Sequence, residues 1–258
     1  MDNDKIITAR IEDKLEQCER GSYITATGFL NMHEQSLAMR IVKGRSDVKS
    51  FFYGGYDDAE RRIILFVPDG YADTLEGALE MISPLSVLHI KVAPGSRKLT
   101  HRDYLGSVLS LGLDRSVIGD ILVNDKGADM IVNSDIVDFL LSEFHSAGHT
   151  NLQITASDIG ELEVPEQRVK AVRDTLSSPR LDNVVSAAFH VSRSEAVRAI
   201  KGGIVFVNHE EVTKIDKRID EGDTIVVRGK GKAELAELAG RLNRLWRFSP
   251  DAFPPPPD

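Results

Sequence analysis

Apolar and polar positions follow two periods along this chain, and the switches between them mark its elements. Residues 4–20 put Ile7, Ile11, Leu15 and Cys18 on one side and acids on the other, the spacing of an amphipathic helix that Gly21 ends. A second helix is predicted from His33 to Val42. Val48–Tyr53 and Arg62–Val67 are then β-rich runs, predicted strands joined by residues 54–61, GGYDDAER. That joining stretch combines two glycines, Tyr56 and the Glu60-Arg61-Arg62 cluster, and reads as a hairpin connection with solvated charges. From Leu85 the order is a strand (Leu85–Val92), a helix (Thr100–Leu111), two strands (Gly119–Asn124 and Asp129–Val132) about an Asp125-Lys126-Gly127 turn, a helix (Ser134–Phe144) and a last strand (Asn151–Thr155). Thr100 and Asp103 stand at capping-box spacing.

The order β-α-β-β-α-β is that of the ferredoxin-like split unit, which underlies many RNA-recognition domains. The exposed aromatics such a sheet uses to stack bases are not evident, so an RNA surface here would be polar. In the C-terminal third, Leu181, Val184, Val185, Ala188 and Phe189 form one helical stripe and Ala196, Val197 and Ile200 a second. The second helix opens with a capping box, Ser192-Arg193-Ser194-Glu195, and stops at Gly202-Gly203. The period then switches to two over Ile204–Val207, up to Asn208, and again over Thr224–Arg228 after the Asp220-Glu221-Gly222-Asp223 turn. Asn208, at a strand end, reads as a turn former.

The fold class expected is α+β: an N-terminal α/β unit over 1–80, a ferredoxin-like domain over 81–160, a linker over 161–179, a two-helix and hairpin module over 180–248, and a disordered Pro-rich tail over 249–258. Within the linker, Pro165 and Pro179 bracket a strand-like Val169–Leu176. Length and composition add little, since 258 residues with 41% hydrophobic and 28% charged describe an ordinary globular chain of two or three domains. No apolar run is long enough for a membrane span, and the first ten residues carry no secretory apolar core, so a cytoplasmic location without membrane partners is expected. The single cysteine, Cys18, excludes an internal disulfide and a cysteine-based zinc cluster. No metal or other cofactor is expected.

Charge changes the picture more. A net charge of −8 argues against nucleic acid until the chain is divided: residues 177–248 hold 13 Lys/Arg against 10 Asp/Glu, whereas 1–176 hold 19 against 28. That asymmetry marks a nucleic-acid-binding segment, and its modest +3 implies weak affinity for bare RNA. Arg180 precedes the first helix of the module, Arg193 and Ser194 stand on the first turn of the second, and Arg198 and Lys201 follow, predicting a positive ridge sharing one exposed face. Lys230 and Lys232 extend it, and Arg241–Arg247 adds three arginines around Trp246, which reads as a hydrophobic cover rather than a stacking platform. A second basic group, Arg97, Lys98, His101 and Arg102, flanks the helix start at Thr100; there Lys98 and Arg102 are candidate phosphate contacts.

Arg180-Leu181-Asp182, Ser192-Arg193, Ala196, Gly203-Ile204-Val205-Phe206-Val207-Asn208 and Gly222-Asp223 together resemble the S4-type RNA-binding module. Leu99–Gly106 (LTHRDYLG), Gly119–Leu122, Phe52–Tyr56 and Ala59-Glu60-Arg61 further resemble the YlmH family of bacterial S4-domain proteins, in the same order and over residues 5–245. The resemblance implies an N-terminal α/β unit, a ferredoxin-like RNA-binding middle and an S4-type end. It also implies no catalysis, binding to the large ribosomal subunit with its rRNA and peptidyl-tRNA, and a role in rescuing stalled translation. It implies RNA contacts at Arg180, Arg193, Ser194, Arg198, Lys201, Asn208, Lys230 and Lys232.

Two other classes stay open on sequence alone. S4-type modules are often appended to RNA-modifying enzymes, and Arg180-Leu181-Asp182 imitates a pseudouridine synthase tripeptide. Here, though, Asn183-Val184-Val185 follows, and Asp182 reads as an acid favoured by the helix dipole. No phosphate loop or methyltransferase-like glycine motif is present, while a Ser, His and acid triad would meet only in space. A scaffold role with cell-division proteins as partners is the third class.

Overall fold

A computed structural model describes residues 2–45, 47–164, 170–174, 178–239 and 243–249; of 170–174, 236–239 and 243–249 it gives the backbone course. The expected Pro-rich tail from Pro250 onward, Arg241 and the Trp246 side chain lie outside the described residues. The chain divides into two compact units, Met1–Pro165 and Glu166–Asp258.

The first unit opens with α1 (Asp2–Gly21), β1 (Thr25–Ala26), α2 (Met32–Val42), β2 (Val48–Tyr53) and β3 (Ile63–Pro68), the strands forming an antiparallel sheet ordered β1-β3-β2. Every residue of β3 is buried. Ile64 and Phe66 pack with Ile7, Ile11, Leu15 and Cys18 of α1, while Ile63, Leu65 and Val67 pack with Phe29, Leu85 and Ile131. A strand covered on both faces needs apolar residues at every position, which is why this run does not alternate.

There follow α3 (Leu75–Met81), β4 (Leu85–Val92), α4 (His101–Leu109), β5 (Ile118–Asn124), β6 (Gly127–Asn133), α5 (Val137–Glu143), β7 (Ser146–Ala147) and β8 (Thr150–Asp158). The sheet order is β5-β6-β4-β8-β7 with antiparallel pairing throughout. This is the ferredoxin-like arrangement, extended by the short β7. On one sheet face Leu88 and Ile90 meet Tyr104, Val108 and Leu140 of α4 and α5. Thr100 and Asp103 form the expected capping box. The pairing of β5 with β6 slips between Ile118 and Ile121, a bulge that re-aims Asp120.

The second unit contains β9 (Lys170–Asp174), α6 (Leu181–Ala188), α7 (Arg193–Lys201), β10 (Val205–Val207), β11 (Glu210–Glu211), β12 (Thr224–Val227), β13 (Gly231–Ala239) and β14 (Asn243–Ser249). Its sheet runs β11-β10-β12-β13-β14-β9, so the small hairpin anticipated from sequence is the inner part of a six-stranded sheet. The strand-like stretch after Pro165 is the edge strand β9, paired with β14. Leu181, Val184, Val185, Ala188, Ala196 and Ile200 are buried against Val205, Val207, Ile225 and Val227, the two helical stripes meeting alternate residues of the two strands.

Candidate nucleic-acid interface

The S4-like corner is built around a buried carboxylate. Asp182, in the first turn of α6, is 1% exposed and accepts from Nε of Arg180 at 3.0 Å and from Nε and Nη2 of Arg193 at 3.0 and 2.8 Å. Burial alone would raise the Asp182 carboxyl, but the two guanidinium groups outweigh it and hold it below the ordinary carboxylate value. Asp182 stands in the first turn of α6, where the helix-dipole reading put it, and it has a further role as the anchor that ties α6 to the start of α7. The same contacts bear on the expected ridge. Arg180 and Arg193 are not unpaired cations, because one carboxylate cancels one of their two charges. Their side chains still remain 40% and 63% exposed.

The first amides of α6 are also taken, Leu181 N–H by the Lys217 carbonyl at 2.8 Å and Asp182 N–H by that of Ile215 at 3.1 Å. On α7 Ser192 and Glu195 form the predicted reciprocal cap. Glu195 is held below its ordinary value first by the Ser192 backbone and hydroxyl, then by the fields of Lys230 and Arg198. Ser194, Arg198 and Lys201 are exposed and spaced i, i+4, i+7 on one face of α7. Lys230 is exposed on the β12–β13 turn and Lys232 is half-buried on β13.

Asn208 has φ +50°, the left-handed conformation expected of a turn former. Its side chain donates to Asp223 at 2.7 Å and accepts from Thr224 N–H at 2.9 Å, locking the β10 end onto the Gly222-Asp223 turn. Arg228, which sequence reasoning did not single out, lies over the Phe206 ring at 5.6 Å.

In the first unit, Lys98 is exposed and pairs with Asp125 at 3.2 Å, and Arg97 pairs with Asp103 at 2.7 Å. Arg102 is exposed on α4. His101 is lowered below its ordinary value by burial and by Arg115.

The reading of residues 54–61 as a solvated connection is overturned. Asp120, 9% exposed, accepts from the Tyr56 hydroxyl at 2.9 Å and the backbone N–H groups of Glu60 and Arg61 at 2.8 and 3.1 Å. Burial raises its carboxyl despite these donors. Arg61 donates to the carbonyls of Ile118, Phe29 and Arg115, and Arg62 to those of Ala59 and Asp57. Burial, with Arg61 beside it, lowers Arg115 to about 10. A Cβ at Gly54 would lie 2.3 Å from that of Ala59, and one at Gly119 would lie 2.7 Å from the Phe29 ring. The motif residues of the two stretches thus form one joint between β2–β3 and the bulged β5, which no spacing in the sequence announces.

One acid, imidazole and hydroxyl chain also assembles. His89 Nδ1 lies 2.7 Å from Asp129 Oδ1 and Nε2 lies 2.8 Å from Ser157 Oγ. The order is that of a hydrolytic triad. Ser157, however, is paired within strand β8 and its hydroxyl also donates to the Asp158 carbonyl at 3.2 Å, which fits a fixed polar network across three strands. Among the described residues no helix is long and apolar enough to cross a membrane, and no group of three or more His, Cys, Asp or Glu is placed to hold a metal ion.

Comparison with known proteins gives these features their context. Residues 84–161 match the family described as "Putative RNA-binding domain in YlmH", and residues 179–225 match the S4 domain. The "Ribosome-associated protein quality control protein P2" of Bacillus subtilis (strain 168) is 32% identical over 224 residues, covering 86% of this chain and 85% of its own. Among solved structures, "Cell division protein ylmH from Streptococcus pneumoniae" superposes with a TM-score of 0.49 at 21% identity, over 62% of this chain and 93% of that one. With an S4 domain at its C-terminal end and a relative of this identity matched over most of both lengths, the chain belongs to the YlmH family of S4-domain proteins.

Proposed function

We propose that this protein is a non-catalytic, cytoplasmic RNA-binding protein that associates with the large ribosomal subunit, contacts rRNA and peptidyl-tRNA, and acts in the rescue of stalled translation. The observation that carries the reading is the S4 corner. Asp182 fixes two guanidinium groups beside the α7 start, Arg198 and Lys201 stand exposed on the same helix, and Lys230 stands exposed on the β12–β13 turn. Cations fixed in this way suit phosphates, which set orientation without reading bases. Ser194 and Asn208 supply polar contacts alongside, Lys232 extends the charge, and Lys98 and Arg102 offer a second point of contact on the first unit. The printed name of the Bacillus subtilis relative supports the assignment to ribosome-associated quality control.

Sedimentation of lysates through sucrose gradients at moderate salt, with sequencing of the co-migrating RNA, tests this reading. The wild-type protein travels with large subunits, and Arg198→Ala with Lys201→Ala shifts it towards the top of the gradient. Each lost phosphate contact lowers the slope of log affinity against log salt by about one. Unchanged co-sedimentation of the double variant would refute the ridge.

A further inference from the structure

We propose that a basic cleft at one end of the ferredoxin-like sheet is a binding site for the phosphodiester backbone of an RNA strand, gripped by Lys91, Lys98 and Lys126. This rests on the RNA-binding reading above and assigns a place for it within residues 84–161.

The cleft has a volume of about 640 Å³, within the range of small-ligand sites, and is formed where the end of β4, the 93–99 loop, the β5–β6 turn and Gln153 of β8 converge. Its cations are out of keeping with their surroundings. Residues 1–165 hold 16 Lys/Arg against 26 Asp/Glu, a net of −10, yet three lysines and one acid, Asp125, line this site. A solvated face drawn from that composition would be acidic. Asp125 is 97% exposed and holds only Lys98. Among the described residues neither Lys91 nor Lys126 takes part in an ion pair, so two ammonium groups are left for an outside anion.

The backbone is set in place before any ligand arrives. Val92 N–H donates to the Lys126 carbonyl at 3.1 Å, and Lys126 N–H donates to Asn124 Oδ1 at 2.9 Å, which pins the turn carrying Lys126 against the β4 end carrying Lys91. Gly127 has φ +154°, and a Cβ there would lie 1.9 Å from the Ile90 carbonyl oxygen, so only glycine allows so close an approach. With the backbone already fixed, only the lysine side chains remain to be ordered on meeting a phosphate.

The same end of the sheet favours a strand over an isolated anion. Lys91 pairs with Gln153 and His89 with Thr155 in the β4–β8 ladder, so these four side chains share the face turned away from α4 and α5. Polar groups therefore lead from the cleft along the sheet, where the nucleotides next to a gripped phosphate would lie.

The test uses the full chain and a fluorescein-labelled oligoribonucleotide of mixed sequence, read by anisotropy across a salt series. Lys91→Gln with Lys126→Gln removes two charges that take part in no ion pair among the described residues, and circular dichroism checks that the fold is intact. Affinity should fall about tenfold near 0.1 M salt, and the salt slope by about 1.4, the value for two single-strand phosphate contacts. If this variant binds as wild type while Arg198→Gln with Lys201→Gln loses affinity, the cleft is refuted and the RNA-binding reading stands. If the wild-type protein binds neither this RNA nor ribosomal subunits, both fail. Titration followed by amide NMR at Gly95, Ser96 and Gly127 separates the sources: shifts with the oligoribonucleotide support a strand, whereas shifts with inorganic phosphate alone overturn it.

Discussion

At the scale of single residues, the feature with the widest consequences is Asp182. A carboxylate that is 1% exposed survives in a protein only if its charge is answered, and Arg180 and Arg193 answer it from two sides. Asp182→Asn keeps the shape and removes the charge. Because both arginines still reach water, the loss should be about 1–3 kcal/mol in denaturant titration at neutral pH rather than the larger cost of stranding a fully buried ion. The sign of its pH dependence follows from the lowered value of the carboxyl. A group depressed in the folded state stabilises fully above its unfolded value of 3.8 and loses that contribution as pH falls through and below it. The gap in stability between wild type and Asp182→Asn should therefore close as the solution is taken below about pH 4. A gap that stays constant to low pH would show that the arginines are held by packing alone. Arg180, Asp182 and Arg193 were each visible in the sequence, but they stand before α6, on its first turn and on the first turn of α7, so no single element's period relates them and their convergence had no signal there.

At the scale of elements, legibility followed periodicity. The stripes of α6 and α7 could be read because each helix has one buried face and a local stop signal, and the strand runs of β4, β10 and β12 because they are short apolar, β-branched runs bounded by turn signals, β10 being buried at every residue. The cap of α7 could be read because its chemistry is complete within four residues. Ser192→Ala removes the hydroxyl half of that cap, which receives Glu195 N–H at 3.2 Å and donates to the Glu195 carboxylate at 2.8 Å, while the backbone N–H at 192 keeps its bond to that carboxylate. The expected cost is about 1 kcal/mol, seen as a lower denaturation midpoint at unchanged slope. No change would mean that the α6–α7 packing alone fixes this helix start. The joint at Asp120 was misread for the opposite reason. Its donors stand about sixty residues away, on the far side of a bulge that strand patterns do not reveal, so Glu60-Arg61-Arg62 carried the signature of a solvated cluster. The basic cleft was half legible: Lys98 stood beside a visible helix cap, whereas Lys91 looked like one more strand residue until β8 and the β5–β6 turn closed around it.

At the scale of the whole molecule, charge and cohesion divide the chain at the same place. Residues 1–165 carry a net of −10 and residues 166–258 a net of +2, so the net charge of the first unit opposes a polyanion and leaves attraction to its local basic groups. Among the described residues, the buried cluster of the second unit shares no member with those of the first. Within the first unit the position is different, because β3 is packed on both faces and the Asp120 joint bonds the 54–61 stretch to β5. Two separate cores predict two calorimetric transitions, not one for each sheet and not a single two-state event. Substitutions assign them. Ile225→Ala, at a fully buried site of the second unit, should cost about 2–5 kcal/mol and lower one transition only. Leu88→Ala, equally buried in the ferredoxin-like core, should lower the other by a comparable amount. That second transition should carry the N-terminal sheet down with it, which near-ultraviolet dichroism from Tyr53 and Tyr56 can follow. If Leu88→Ala instead splits off a third transition while those tyrosines stay ordered, the joint is too weak to couple the two sheets, and the first unit is two folding domains in contact.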